Sequence, residues 1–259
     1  MKSHWIVGMI LANAAGCLFS QTAGNPIQAV GQRQWTMGLS GNYMNQEMEY
    51  NTAASKRVLM KSMWGVNPWL GLYGTIGMVQ LSLDDDRPDI ADYKDRFRFA
   101  YGAGLHWQFD ITDVGNEGLG IWGDIQVLKF NSQGSFLKHI PVQDDTITRT
   151  FGMKYDWGEM LMSGGFVLPM KNMRIYAGGV GWVLQRKDEK RETLTDLSDV
   201  IWEAQTVRGT YQSGLWTGAI VGVEFLLPKM YSIVIEGLAF NRKNYQIMVG
   251  ISQTGSSDW

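Results

Sequence analysis

From Phe97 to Phe109 the chain alternates without a break. Phe97, Phe99, Tyr101, Ala103, Leu105, Trp107 and Phe109 fall on one parity, and Arg98, Ala100, Gly102, Gly104, His106 and Gln108 on the other. A period of two is the signature of a strand. Soluble strands average about five or six residues, whereas a tilted strand crossing a bilayer needs about nine to eleven. The length of this run therefore points to a membrane. The pattern returns from Tyr211 to Phe225, where Tyr211, Ser213, Leu215, Thr217, Ala219, Val221, Val223 and Phe225 interleave with Gln212, Gly214, Trp216, Gly218, Ile220, Gly222 and Glu224. Further strands are predicted at about 34 to 48, 56 to 66, 69 to 83, 119 to 130, 149 to 168, 173 to 186, 230 to 240 and 244 to 252. That makes about ten antiparallel strands, with eight or twelve as the neighbouring even counts. The fold class predicted is all-β, a closed up-and-down transmembrane barrel.

The connections alternate between short and long. Asn67-Pro68, Asp110 to Gly118, Pro169 to Asn172 and Leu227 to Lys229 are tight or modest, and Pro and Asn set turns there without continuing a ladder. Asp84 to Lys94, Asn131 to Ile147 and Lys187 to Arg208 are longer and carry most of the clustered charge. Short turns on one side and long loops on the other are what a membrane barrel requires, and an even strand number leaves both termini on the short-turn side. The uncharged stretch Met63 to Leu83 is long enough for a transmembrane helix. Asn67-Pro68 interrupts it, Gly65, Gly71, Gly74 and Gly77 stud it, and Gln80 and Ser82 share a parity with Met78, so two strands are predicted instead.

Aromatic residues gather near the predicted strand ends, where an apolar ring meets a polar boundary. The expected interface belt comprises Trp35, Trp64, Trp69, Trp107, Phe109, Phe225 and Tyr231 at the short-turn end, with Tyr211 and Tyr245 at the other, alongside Tyr43 and Phe97. If the apolar parity faces lipid, the other parity faces a shared lumen. That set includes Lys61, Arg96, Arg98, His106, Asp124, Gln126, Glu224 and Glu236. A ten-strand lumen is narrow, and charges inside it are costly unless paired, so a charge network that plugs the lumen is expected. Gly38, Gly102, Gly104, Gly179, Gly181, Gly214, Gly218 and Gly222 are assigned to the same side, making room for long Arg and Glu side chains.

Composition changes this picture little. Hydrophobic residues make up 45% with a mean hydropathy of -0.15, as fine interleaving of wet and greasy positions demands. A net charge of -2 excludes the basic footprint of a nucleic-acid binder. Residues 1 to 20 read as a signal peptide, with Lys2 and His4 before an apolar run from Trp5 to Ala15. Ala12-Asn13-Ala14 offers one cleavage site, while Ala14-Ala15-Gly16-Cys17 resembles a lipoprotein box that would lipidate Cys17. The one cysteine allows no disulfide framework. Residues 34 to 252 are then the barrel and 253 to 259 a polar tail.

Together these features resemble the small bacterial outer-membrane β-barrel proteins. The resemblance implies export to the outer membrane, contact with membrane lipid and lipopolysaccharide, and a monomer. Three function classes follow. The first is a structural or surface-recognition protein whose plugged wall displays loops to a ligand. The second is a narrow porin or channel for small solutes. The third is an outer-membrane protease or lipid hydrolase, for which Asp84, Asp85 and Asp86, or His139 with Ser132 and Ser135, are the candidate groups. No Asp-x-His pair supports the last, so no catalytic residue, no metal site and no cofactor is assigned; weak Ca²⁺ binding at Asp84, Asp85, Asp86 and Asp89 is the one cation reading. A soluble calyx with its apolar side turned inward has the same period and is separated by strand length and export.

Overall fold

The computed structural model describes residues 34–48, 51–85, 93–112, 118–142, 145–195 and 201–256. The signal peptide with Cys17, Asp86, Asp89 and Trp259 lie outside the described residues, as does the side chain of His139.

Ten strands close into one antiparallel ring. In chain order they are β1 (Gln34–Glu47), β2 (Asn51–Asn67), β3 (Leu70–Asp85), β4 (Arg98–Thr112), β5 (Leu119–Val142), β6 (Asp145–Met170), β7 (Met173–Thr195), β8 in two segments (Ile201–Gln212 and Trp216–Leu227), β9 (Tyr231–Ala239) and β10 (Tyr245–Ser256). Both segments of β8 pair with β7, on either side of a break at residues 213–215. A two-residue bridge, Tyr93–Lys94, adds to the edge of β3. Each strand pairs with its sequence neighbour, and β1 pairs with β10 from Gln34–Ser256 to Asn45–Tyr245, so the sheet has no open edge within the ring. Closure satisfies every ladder without a second chain, which is the condition for crossing hydrocarbon.

Parity sorts the side chains as the sequence pattern predicts. Leu72, Ile76, Met78, Phe99, Tyr101, Leu105, Ile121, Val127, Phe166, Val221, Ile235 and Ile247 are exposed on the outside. Their alternates are buried in the lumen. An outward apolar belt on a closed antiparallel barrel faces lipid, because in water it would expose a contiguous greasy surface far beyond the few hundred Å² that soluble proteins tolerate. No described helix is long and apolar enough to span a membrane, and Met63 to Leu83 forms the β2–β3 hairpin. In its turn the Trp69 backbone N–H donates to Asn67 Oδ1 at 3.0 Å.

The distal connections depart from expectation. Asn131 to Ile147 and much of Lys187 to Arg208, read from sequence as loops, continue the ladders instead. β5 and β6 pair as far as Val142–Asp145, and β7 and β8 from Gln185–Gln212 to Thr195–Ile201. They form a ribbon rising past the end of the apolar belt. Polar and charged residues occupy both of its faces, so the alternation that reveals a lipid-facing strand is missing there. The last strand also runs to Ser256, into the predicted tail. Ser252 and Thr254 point into the lumen, where Thr254 Oγ1 meets Thr36 Oγ1 at 3.0 Å and Ser252 Oγ meets Ser232 Oγ at 2.7 Å, while Gln253 is exposed.

Candidate functional site

The lumen is filled in two layers. Toward the end that holds the short turns, the start of β1 and the end of β10, it is polar. Lys61, His106, Asp124, Glu224 and Glu236 are all 0–2 % exposed there. Asp124 is the hub: it accepts a hydrogen bond from the Tyr73 hydroxyl at 2.6 Å, lies 3.4 Å from His106 Nδ1, and faces Lys61 Nζ at 3.8 Å. The Lys61 ammonium also sits 3.5 Å from the centre of the Tyr73 ring. Across the lumen the Tyr176 hydroxyl donates to Glu236 at 2.7 Å, and Arg174 reaches Glu224 at 3.4 Å. Lys61 Nζ, both His106 nitrogens, Glu224 Oε1 and Glu236 Oε1 have no hydrogen-bond partner among the described residues. Asp124, Glu224 and Glu236 beside Lys61 and Arg174 make this layer polar at its core.

Glycine makes the two tyrosines possible. A Cβ on Gly104 would lie 2.3 Å from the Tyr73 ring, and one on Gly222 would lie 2.2 Å from the Tyr176 ring. The rings lie flat on bare backbone, which only glycine permits. The space predicted to hold Arg and Glu side chains is thus taken by phenols. Gly179 and Gly181 are corrected in facing: they share the outward parity of Ala177, opposite to buried Tyr176, Val180 and Trp182.

The distal half of the lumen is largely apolar from β2 to β7 and polar along β1 and β10, where Asn42, Gln46 and Gln246 are buried and Gln246 Nε2 donates to Asn42 Oδ1 at 3.2 Å. Leu59, Val79, Leu81, Leu128, Phe130, Trp157 and Leu184 belong to one buried cluster, with Phe130 and Trp157 stacked at 5.6 Å. A single ion pair crosses it, Arg57 with Glu159, held by both guanidinium nitrogens, with a further bond from Arg57 Nε to Ser55 Oγ at 2.9 Å and one from Trp157 Nε1 to Glu159 at 3.3 Å. Above it Arg186 pairs with Asp188 at 2.7 Å and lies over the rings of Tyr155 and Tyr211, each at 5.5 Å.

The predicted lumen set therefore divides. Lys61, His106, Asp124, Gln126, Glu224 and Glu236 share the polar layer. Arg96 and Arg98 do not belong to it: Arg96 is exposed, and Arg98 pairs at 3.0 Å with Asp95 at the distal mouth. Both precede or open β4, so parity assigned a face but tilt carried them past the lumen. Asp95 also accepts bonds from the Ser132 hydroxyl at 2.7 Å and from the Gln133 and Arg96 backbone N–H groups at 2.8 and 2.6 Å. Burial alone would raise its carboxyl, but Arg98, Ser132 and the two backbone donors together hold it below the ordinary carboxylate value. Its neighbour Tyr93, buried against Tyr155 at 4.9 Å, has its phenol pushed up to about 12 by that burial. This segment lies between spanning strands and seals the mouth.

Among the predicted belt aromatics, Trp64, Trp69, Phe109 and Phe225 are exposed on the outside, with Trp69 and Phe109 stacked at 5.3 Å. Trp35 and Trp107 lean over Gly255 and Gly123, half-buried. Tyr231 and Tyr245 are half-buried on the outward parity, and Tyr245 meets Tyr43 at 6.3 Å. Tyr211 is corrected: it pairs with inward Arg186 and faces the mouth, not lipid. Arg57, Glu159, Tyr73 and Tyr176 were not singled out by sequence reasoning. Their inward parity was available as a signal, but nothing linear says which inward groups meet across a lumen.

Of the candidate catalytic groups, Asp84 is exposed at the distal rim, and Ser132 is buried and committed to Asp95 and Tyr93. His106 lies in the opposite layer. Among the described residues no group of three or more His, Cys, Asp or Glu side chains is placed to hold a metal ion.

A closed ring, an outward apolar belt with aromatic ends, and a first strand that starts and a last strand that ends beside the short turns define one architecture. It is that of the small bacterial outer-membrane β-barrels. No protein-family model matches the sequence, and no curated protein matches it. Solved structures resemble it in fold alone. The transport unit of the autotransporter AIDA-I from Escherichia coli is 10% identical, with 98% of this chain and 97% of that one covered at a TM-score of 0.40. The outer membrane protease OmpT from Escherichia coli is 10% identical, with 91% and 99% covered at 0.42. The translocator domain of the autotransporter NalP from Neisseria meningitidis is 10% identical, with 96% and 95% covered at 0.35.

Proposed function

We propose that this chain is a monomeric bacterial outer-membrane protein with a closed lumen, exported by its signal peptide, whose working surface is its distal end. The observation that carries the reading is the apolar layer crossed by Arg57–Glu159. A water path must be continuous, and a dry cluster of Leu59, Leu81, Leu128, Phe130, Trp157 and Leu184 interrupts it. The polar layer beneath is itself buried, with Lys61, His106, Asp124, Glu224 and Glu236 each 0–2 % exposed. The narrow-pore reading draws on that layer and on buried Ser40, Asn42, Gln46 and Gln246 along β1 and β10 beside the cluster; the closed-lumen reading requires the cluster and the Arg57–Glu159 pair to block that side as well.

In this reading the wall anchors what it displays. The ribbon of β5 to β8 and the mouth segment at Asp95 stand beyond the belt, in contact with lipopolysaccharide and open to a surface ligand. A catalytic role is not part of the proposal, since His106 and Asp124 are sealed in the layer farthest from that surface. Planar-bilayer recording tests it. The wild-type protein is expected to give flat traces, and a variant carrying both Arg57→Ala and Glu159→Ala small irregular openings. Discrete, steady conductance by the wild type would establish the pore instead.

A further inference from the structure

Strand β8 loses its ladder at residues 213–215, and β9 ends at Ala239, so the distal rim is low on this side. A cleft of about 540 Å³ opens there, lined by Glu47, Met48, Trp216, Thr217, Phe240, Asn241 and Asn244. It lies just past the Tyr43–Tyr245 pair that marks the end of the apolar belt.

Its walls are fixed before any ligand arrives. Trp216 packs edge-on against buried Trp182 at 5.1 Å, and Phe240 against the same ring at 5.8 Å. At the β9–β10 turn, Asn241 Oδ1 accepts the backbone N–H groups of Lys243 and Asn244 at 2.9 and 2.8 Å, and Asn244 Oδ1 accepts that of Glu47 at 2.6 Å. Asn45 Nδ2 ties the turn to β1 through the Lys243 carbonyl at 2.9 Å. Both amide oxygens are spent on the backbone, which leaves the two Nδ2 groups as donors for something else. The Glu47 carboxylate is paired with Lys243 Nζ, so the cleft carries no net charge.

Two aromatic rings, two amide donors, a hydroxyl and a neutralised carboxylate form a definite chemistry. An ionic ligand would find no unpaired countercharge, and a purely apolar one would strand the amides. A pyranose ring matches both: its C–H face lies on an aromatic ring, and its hydroxyls bond to amide and carboxylate groups. We propose that this cleft binds the pyranose ring of a neutral saccharide. The inference rests on the reading that the distal end faces the cell exterior. The sugar is either a free glycan or a core sugar of neighbouring lipopolysaccharide.

The test uses the full mature chain, folded in detergent micelles and shown to be folded by its heat-dependent gel mobility. Maltose, cellobiose, lactose and the core oligosaccharide released from lipopolysaccharide are titrated while saturation-transfer NMR reads the sugar C–H protons. At least one probe is expected to bind saturably. Disaccharide binding identifies a soluble source, and binding of the core oligosaccharide alone identifies the surrounding leaflet. Trp216→Ala should weaken binding about tenfold, the scale of one lost aromatic contact. Thr217→Arg, an exposed change that fills the cleft without touching the core, should do the same. No saturable binding by any probe, or binding that both variants leave unchanged, overturns the inference. Flat bilayer traces with no sugar binding would remove this inference and leave the closed-lumen reading standing.

Discussion

Removing either partner of the Arg57–Glu159 pair strands a charge in the driest part of the lumen. Glu159→Ala should therefore cost about 3–5 kcal/mol, whereas replacing the pair with Arg57→Met and Glu159→Leu should restore most of the loss, because the desolvation of both ions disappears together. Urea unfolding in lipid vesicles reads the difference. Equal loss in the single and double variants would mean that the pair is not isolated by its apolar surroundings. At Asp95 the sign follows from a lowered carboxyl. Its contribution is fully present above the ordinary carboxylate value near pH 4 and fades as pH falls through its depressed folded value. Protection factors, which remove the intrinsic pH dependence of exchange, should be high for the Arg96 and Gln133 amides at neutral pH and fall in acid in the wild type, and be low at both in Asp95→Ala. Protection that does not change with pH would show that the carboxylate does not hold the mouth segment.

At the scale of elements, each strand was legible where lipid lay on one side of it. Phe97 to Phe109 and Leu215 to Phe225 stand out because hydrocarbon and lumen impose opposite demands on successive residues. Beyond the belt both faces meet water, so Asn131 to Ile147 reads as a loop although its backbone is laddered. The site was legible only in part for a related reason. Parity marks Lys61, His106, Asp124, Glu224 and Glu236 as inward, yet strand tilt and register decide their heights. The same parity misplaced Arg98 and Tyr211, and it could not reveal that Arg57 meets Glu159 from 102 residues away. Because the ribbon lies outside the hydrocarbon, it should be dispensable to the barrel. Replacing residues 136–151 with Asn-Gly, a two-residue hairpin turn that joins the register partners Ser135 and Gly152, should leave heat-dependent gel mobility intact. A protein that no longer folds would mean that the ribbon templates β5–β6 pairing.

The whole molecule inverts a soluble protein: its continuous apolar surface is outside, and its buried centre is half polar and half dry. Closure through β1–β10 removes the sheet edge, and the lumen layers then divide the work, one polar toward the short turns and one sealing the distal half. The orientation of the two faces decides everything built on it, and nitroxide labels placed one at a time along β4 measure it directly. Labels at positions 99, 101, 103 and 105 should collide with oxygen dissolved in the bilayer, while those at 100 and 102 should be shielded from it, in strict alternation. Uniform accessibility along the strand, or oxygen collisions confined to the even positions, would contradict a barrel whose greasy parity touches lipid.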